Sequence, residues 1–323
     1  MVEVEGGNKT RAVTFSANGE YFVSGDEKKV RVWRVSDGKQ VSTMPAGLVN
    51  CLAVSRDGRW IAAGTFAGEV IIWDAQRAYK KVYALQNHYV VALDFSPDSR
   101  QLLTATFNST ATILDVTNRE QVLSLVHQDE IIAAKYSQRG DRIAIATGKY
   151  IRIYDRDNVH LYVDIKAEVT PWYNTGLLWS NDHLFIISES KIKQIDASTG
   201  SVASEWPVPD SDASSCIALQ QHGEFIAYST NRTVTIWDTS DAHAQLDIMQ
   251  HSQIIRSISI SPDHRLLAIG GERGKITIRR LPLSMIVSIV PLCTVVHLNT
   301  PAIGIDSFVS STPHFPGTRH SDP

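Results

Sequence analysis

From residue 12 to residue 280 the chain alternates short apolar runs with polar, turn-forming clusters, and no window sustains a 3.6-residue period over the length of a helix. One pattern of five residues (polar, apolar, polar, apolar, then bulky) returns along the whole stretch. It stands as Lys29-Val30-Arg31-Val32-Trp33, Glu69-Val70-Ile71-Ile72-Trp73, Thr110-Ala111-Thr112-Ile113-Leu114 and Tyr150-Ile151-Arg152-Ile153-Tyr154. It stands again, less strictly, as Lys191-Ile192-Lys193-Gln194-Ile195, Thr233-Val234-Thr235-Ile236-Trp237 and Lys275-Ile276-Thr277-Ile278-Arg279. The last residues fall at 33, 73, 114, 154, 195, 237 and 279, in steps of 40 to 42 residues. A two-residue alternation sends successive side chains to opposite faces of an extended backbone, so each occurrence predicts a strand.

A second marker runs in phase with the first. Turn-forming clusters follow an apolar run at Ser16-Ala17-Asn18-Gly19, Ser55-Arg56-Asp57-Gly58, Ser96-Pro97-Asp98-Ser99 and Ser137-Gln138-Arg139-Gly140. They recur at Ser180-Asn181-Asp182-His183, Gln220-Gln221-His222-Gly223 and Ser261-Pro262-Asp263-His264. Pro presets φ for a tight turn, and Asp, Asn and Gly accept the geometry that follows. Each unit is therefore expected to run strand, tight turn, strand, short loop, strand, then a fourth outer strand such as Val122-Leu123-Ser124-Leu125. The fold class predicted is all-β.

Trp73-Asp74 and Trp237-Asp238 carry a Trp-Asp dipeptide at the end of the third strand; Leu114-Asp115, Tyr154-Asp155 and Ile195-Asp196 keep the Asp, Trp33 keeps the Trp, and Arg279 keeps neither. With four strands per ~40 residues, the chain resembles the WD40 repeat family over residues 10–281. The resemblance implies a seven-bladed β-propeller, because one blade cannot bury both of its faces until others pack against it. The expected organisation is an N-terminal lead-in (residues 1–9), a propeller (10–290), and an apolar, then irregular C-terminal tail (291–323). Two segments compete to complete the last blade. Met1–Glu5 offers a stub, and Ser284–Val290 is the preferred outer strand. His127 and His251 stand ten residues before the turn serines Ser137 and Ser261, where the family places a buried histidine, and a structural role is expected of them. The blade-five region also resembles a group of fungal WD40 proteins in which helical repeats often follow the propeller. Nothing from Pro282 onward has a helical pattern, so the resemblance implies that this chain is a short version of that arrangement.

Composition narrows the function. The chain is 43% hydrophobic and carries 31 Lys+Arg against 34 Asp+Glu, for a net charge of -3, which argues against a protein that coats phosphate backbones; no nucleic-acid partner is expected. Cys51, Cys216 and Cys293 form neither a disulfide framework nor a zinc pattern. The acidic start, Met-Val-Glu-Val-Glu, lacks the basic and apolar regions of a secretory signal, so a cytoplasmic location is expected, with the nucleus as the alternative. Gly270-Gly271-Glu272-Arg273-Gly274-Lys275-Ile276-Thr277 has the look of a phosphate loop, but its glycine spacing fails and Ile276 stands where a magnesium ligand belongs. No nucleophile elbow, zinc-protease pair or Cys-x-x-Cys pair occurs, so no enzyme activity, cofactor or metal is expected.

Recognition is the remaining class. The loop between the second and third strands shares a rim with the connection between blades, and reading the repeat in register places Phe66, Phe107 and Tyr89 there. Thr170-Pro171-Trp172-Tyr173-Asn174 puts Trp172 and Tyr173 on the same rim at blade five, either as packing onto the neighbouring blade or as a partner anchor. Glu205-Trp206-Pro207-Val208-Pro209-Asp210-Ser211-Asp212 is expected to lengthen the next interblade loop. The leading expectation is a non-catalytic protein–protein interaction scaffold that docks peptide or protein partners on this rim, as a monomeric propeller within a larger complex. One alternative is a substrate receptor or adaptor of a ubiquitin ligase. Receptors of the cullin type resemble this fold and usually carry Trp-Asp-x-Arg, whereas here Arg77 stands one position late after Trp73-Asp74. The other alternative is a membrane-tethered propeller, because residues 282–305 contain no Asp, Glu, Lys or Arg, although Pro282, Pro291, His297 and Pro301 interrupt them.

Overall fold

The alternating segments form seven antiparallel four-stranded sheets. A computed structural model describes residues 2–86, 88–169, 176–208, 216–220, 223–240 and 244–282. Blade one is Ala12–Phe15, Tyr21–Gly25, Lys29–Arg34 and Gln40–Pro45; blade two is Val49–Val54, Trp60–Thr65, Glu69–Asp74 and Lys80–Gln86. Blade three is Val90–Phe95, Gln101–Thr106, Thr110–Asp115 and Gln121–Val126; blade four is Ile131–Tyr136, Arg142–Thr147, Tyr150–Asp155 and Leu161–Lys166. Blade five is Leu178–Ser180, His183–Ser188, Lys191–Asp196 and Val202–Pro207; blade six is Cys216–Leu219, Phe225–Thr230, Thr233–Asp238 and Gln245–Gln250. Blade seven joins Ile255–Ile260, Leu266–Gly271 and Lys275–Arg280 to Val2–Glu5 from the other end of the chain. Among the described residues the one helical piece is a 3-10 turn, Ala75–Arg77. These residues fall within one compact unit, Met1–Ile289; residues 290–323 form a second unit that lies outside the described residues.

The core is divided as the two-residue period demands. Each pair of adjacent blades encloses its own apolar cluster, so seven clusters serve seven interfaces. In blade one, Phe22 and Trp33 turn toward blade seven, their rings stacked at 6.0 Å between centroids. Their sequence neighbours Val23 and Val32 turn toward blade two and meet Val49, Ile61 and Trp73. A strand with both faces covered shows near-continuous apolar residues in its middle, as in Trp60-Ile61-Ala62-Ala63.

The recurring turn serine has a defined task. Ser55 Oγ accepts the Trp60 N–H at 2.8 Å and donates to Asp57; Ser96 Oγ accepts the Gln101 N–H at 2.9 Å and donates to Asp98. Ser261 repeats this with Leu266 and Asp263. A hydroxyl that both accepts and donates pins the turn that joins the first two strands, which is why Ser and Asp recur in phase.

Ring closure departs from the sequence expectation. The outer position of blade seven is held by Val2–Glu5, antiparallel to Lys275–Arg280 in the register Val2↔Ile278 and Val4↔Ile276. Ser284–Val290, the segment preferred from sequence, lies outside the described residues. The alternation Val-Glu-Val-Glu suits a half-covered edge. Val2 and Val4 pack on the cluster between blades seven and one, and Glu3 meets Lys275 at 2.9 Å. The chain then crosses to blade one where Gly6 N–H bonds Gly274 O at 2.7 Å. Gly7 and Gly274 both have positive φ, and a Cβ on Gly274 would collide with the Gly7 carbonyl. Close backbone approach explains Gly274, whereas a Cβ on Gly270 would meet the Thr10 side chain and one on Gly271 the side chains of Gln253 and His251. A second departure is Glu205–Pro207: these residues belong to the outer strand Val202–Pro207, with Trp206 fully buried between blades five and six.

Candidate interaction face

The rim expected to carry recognition residues is assembled by backbone pairing between loops. Phe66, in the turn after Trp60–Thr65, donates its N–H to Leu48 O, and Phe107 donates its N–H to Tyr89 O, each at 2.9 Å. The second-to-third-strand turns of blades two and three are thereby tied to the connections that enter those blades. This brings three of the five expected residues together. The Phe66 and Tyr89 rings stack at 4.7 Å between centroids with 13° between planes, and Tyr89 and Phe107 lie at 5.9 Å and 39°. Phe107 is 39% exposed. Trp172 and Tyr173 lie outside the described residues.

One member of this face escapes a motif search. The Arg11 guanidinium lies 4.7 Å from the Phe66 ring centroid, close enough for a cation–π contact. Arg11 precedes Ser16 by five residues, the position that Asn50, Val91, Ile132 and Arg256 hold before their own turn residues. Read in register, it too belongs beside the channel. The row Arg11–Phe66–Tyr89–Phe107 thus crosses blades one to three.

Behind Tyr89 and Phe107 opens a cavity of about 430 Å³ enclosed by the innermost strands. Its walls include Cys51, Ala92, Ala133, Gly176, Cys216 and Ser257. Each stands four residues before a turn residue, and each is small, so side chains converging on the axis leave the space open. Burial pushes the Cys51 and Cys216 thiols up to about 12, which keeps them protonated and inert as nucleophiles. Near the other end of the Val90–Phe95 strand, Asp94 accepts from Lys135 Nζ at 2.7 Å and from the Tyr136 N–H at 2.9 Å, tying blade three to blade four. Burial, reinforced by Asp94, pushes the Tyr136 hydroxyl well above the usual phenol range.

The two family-position histidines sit in packing roles. His251 Nε2 lies 3.3 Å from Thr277 Oγ1, and His127 packs edge-on against Tyr154 with Nδ1 3.4 Å from Arg152. Burial lowers the pKa of both below the usual imidazole range. In blade one, Trp33 Nε1 donates to Ser24 Oγ at 2.8 Å, another fragment of the family's hydrogen-bonded network. Among the described residues no group of three or more His, Cys, Asp or Glu is placed to hold a metal ion, and no helix is long and apolar enough to cross a membrane.

Comparison with known proteins agrees with this geometry. The family model for the WD domain, G-beta repeat, matches residues 244–278, and the model for eukaryotic translation initiation factor eIF2A matches residues 1–118. The mouse WD repeat and SOCS box-containing protein 1 is 41% identical over 68 residues, 21% of this chain and 16% of that protein. The small ribosomal subunit protein RACK1 of Neurospora crassa is 33% identical over 129 residues, 38% of this chain and 40% of its own length. The chain thus matches well under half of the length of either relative. Among solved structures, the RRP9 WD40 repeats superpose with a TM-score of 0.76 at 17% identity, covering 85% of this chain and 95% of that one. The Cps50 (Swd1) β-propeller domain of Myceliophteria thermophila superposes with a TM-score of 0.75 at 18% identity, covering 87% and 99%. Periodic strands, seven closed blades and these matches converge: the chain resembles WD40 repeat proteins and folds as a seven-bladed β-propeller.

Proposed function

We propose that this propeller is a non-catalytic interaction scaffold that docks a peptide or protein partner on the rim of blades one to three. The observation that carries the reading is the row of Arg11, Phe66, Tyr89 and Phe107, whose last two members line the mouth of the cavity. Aromatic and Arg side chains dominate binding energy at protein interfaces, and a cavity beside them receives an anchoring side chain. Trp172 and Tyr173, expected from the sequence on the same rim, are proposed as further anchors of the partner. The test is affinity purification with mass spectrometry, comparing the native chain with Phe107→Glu and with Trp172→Ala/Tyr173→Ala. Because Phe107 is exposed, Phe107→Glu should leave the melting temperature within about 2 °C while removing co-purifying proteins. An unchanged partner set would overturn the reading.

A second reading, a substrate receptor or adaptor of a ubiquitin ligase, is favoured by the match to the WD repeat and SOCS box-containing protein 1. Against it, the Arg77 guanidinium turns back on Asp74 at 3.7 Å, and Asp74 also holds Arg59 at 3.2 Å. Pull-down with a ligase adaptor decides, and an absence of enrichment removes the reading.

A further inference from the structure

Among the described residues each blade ends in an outer strand whose far edge pairs with no further strand, and such edges template pairing with other chains unless charge or proline blocks them. Six of the seven outer strands carry such a block. Val2–Glu5 has Glu3 and Glu5; Gln40–Pro45 has Pro45; Lys80–Gln86 has Lys80 and Lys81. Leu161–Lys166 has Asp164 and Lys166, Val202–Pro207 has Glu205 and Pro207, and Gln245–Gln250 has Asp247. Gln121–Val126 has neither a charge nor a proline.

The side chains and backbone of this strand agree with an open edge. Leu123 and Leu125 turn inward and pack on the cluster between blades three and four. Val122 and Val126 turn outward, 56% and 79% exposed, with exposed Ser124 between them. The His127 N–H donates inward to Ser109 O at 2.8 Å. In an antiparallel ladder alternate residues point their backbone groups to opposite sides, so those of Leu123 and Leu125 face the Thr110–Asp115 strand and those of Ser124 and Val126 face out.

The sequence of the edge names its occupant. Val122-Leu123-Ser124-Leu125-Val126 is identical in both directions. Two copies paired antiparallel about a twofold axis at Ser124 set Val122 opposite Val126, Leu123 opposite Leu125 and Ser124 opposite its own counterpart. The same axis carries Arg119 of one copy toward Asp129 of the other, so the flanking charges are opposite in sign. We infer that Gln121–Val126 is a self-association edge through which two copies of this chain join their third blades into one continuous eight-stranded sheet. This contact is isologous and closes at two copies. It replaces the expectation of a monomeric propeller. It lies on the circumference and does not depend on the docking rim.

A five-residue edge gives a small interface, below the ~1,000 Å² typical of permanent ones, so the dimer is concentration-dependent. Sedimentation equilibrium on the full chain from about 5 to 200 μM tests it. The average mass should climb from 35.8 kDa toward twice that value, and the Ser124 and Val126 amides should gain hydrogen-exchange protection at the high end. Val122→Lys/Val126→Lys, which sets like charges opposite each other, should raise the dissociation constant at least tenfold. Val122→Glu/Val126→Lys should restore pairing, because each Glu then faces a Lys of the second copy. Circular-dichroism melts verify that both variants are folded. A native chain that stays at 35.8 kDa throughout overturns the inference. So does association that survives the double-lysine change, or a folded Glu/Lys variant that remains monomeric.

Discussion

Trp206 separates two accounts of blade five. If Glu205–Asp212 were a solvated loop, truncating Trp206 would cost a few tenths of a kcal/mol. In the structure its side chain is 0% exposed, lies 6.1 Å from the Phe185 ring, and donates from Nε1 to Asp238 O at 3.1 Å across the blade five–six boundary. Its apolar neighbours Ile217, Ile226 and Tyr228 all belong to blade six. Truncating a fully buried Trp to Ala costs about 3–5 kcal/mol, from lost burial and the cavity left behind. In a propeller of this size each kcal/mol lowers the melting temperature by about 2–4 °C, so the Trp206→Ala melting point should fall by roughly 6–20 °C. Trp206→Phe keeps most of the packing but removes the hydrogen bond to the Asp238 carbonyl, and about 1–2 kcal/mol, or roughly 2–8 °C, is expected. Thermal melts followed by circular dichroism at matched scan rates measure both. A Trp206→Ala melting point within 2 °C of native would refute the placement of this residue in the core, and with it the strand Val202–Pro207.

Two further outcomes follow from the closure and from the buried thiols. Deleting residues 1–5 removes two half-buried valines and the outer ladder of blade seven, worth about 2–3 kcal/mol, so the melting temperature should drop by roughly 4–12 °C; an unchanged melt would assign that edge to another segment. Burial raises the Cys51 and Cys216 pKa from 9.0 to about 12, so the fold prefers the protonated thiol, and this contribution is complete below pH 9 and lost as pH rises from there toward 12. Each thiol then costs about 1.4 kcal/mol per pH unit in that window. The urea midpoint should fall more steeply between pH 8 and pH 10 for the native chain than for Cys51→Ala/Cys216→Ala, and equal slopes would contradict the burial argument.

The strands were legible because the core obeys the same two-residue period as the sequence. Val30 and Val32 point to one interface and Trp33 to the other, and each alternation carries that information locally. Legibility ended where a signal was short or was mixed with charge. Val2–Glu5 offers four residues, two of them acidic, which resemble a solvated lead-in until Ile276 and Ile278 supply the ladder. Trp206 sits between Glu205 and Pro207, both turn-like neighbours, yet Glu205 faces outward to Lys191 and Pro207 ends an edge strand, where no further N–H is required.

The proposed docking face shows a different kind of partial legibility. Phe66, Tyr89 and Phe107 were placed on one rim by register alone, because the repeat length fixes which loop each occupies. That they stack depended on the turn of blade two meeting the connection into blade three, a contact between segments about 20 residues apart. The cavity behind them is a property of no single blade. Cys51, Ala92, Ala133, Gly176, Cys216 and Ser257 look unremarkable one at a time, and a small residue in one strand merely packs closer to its neighbour. Only when six of them occupy the same register position on strands converging toward one axis does their missing volume add up in one place. A repeat can therefore differ from blade to blade at its rim, while a shared choice of small side chains at one inner position keeps a common opening. Enlarging a single one of these, as in Ala133→Leu, should cost little in recognition. Enlarging several together would close the opening while leaving the seven interblade clusters intact.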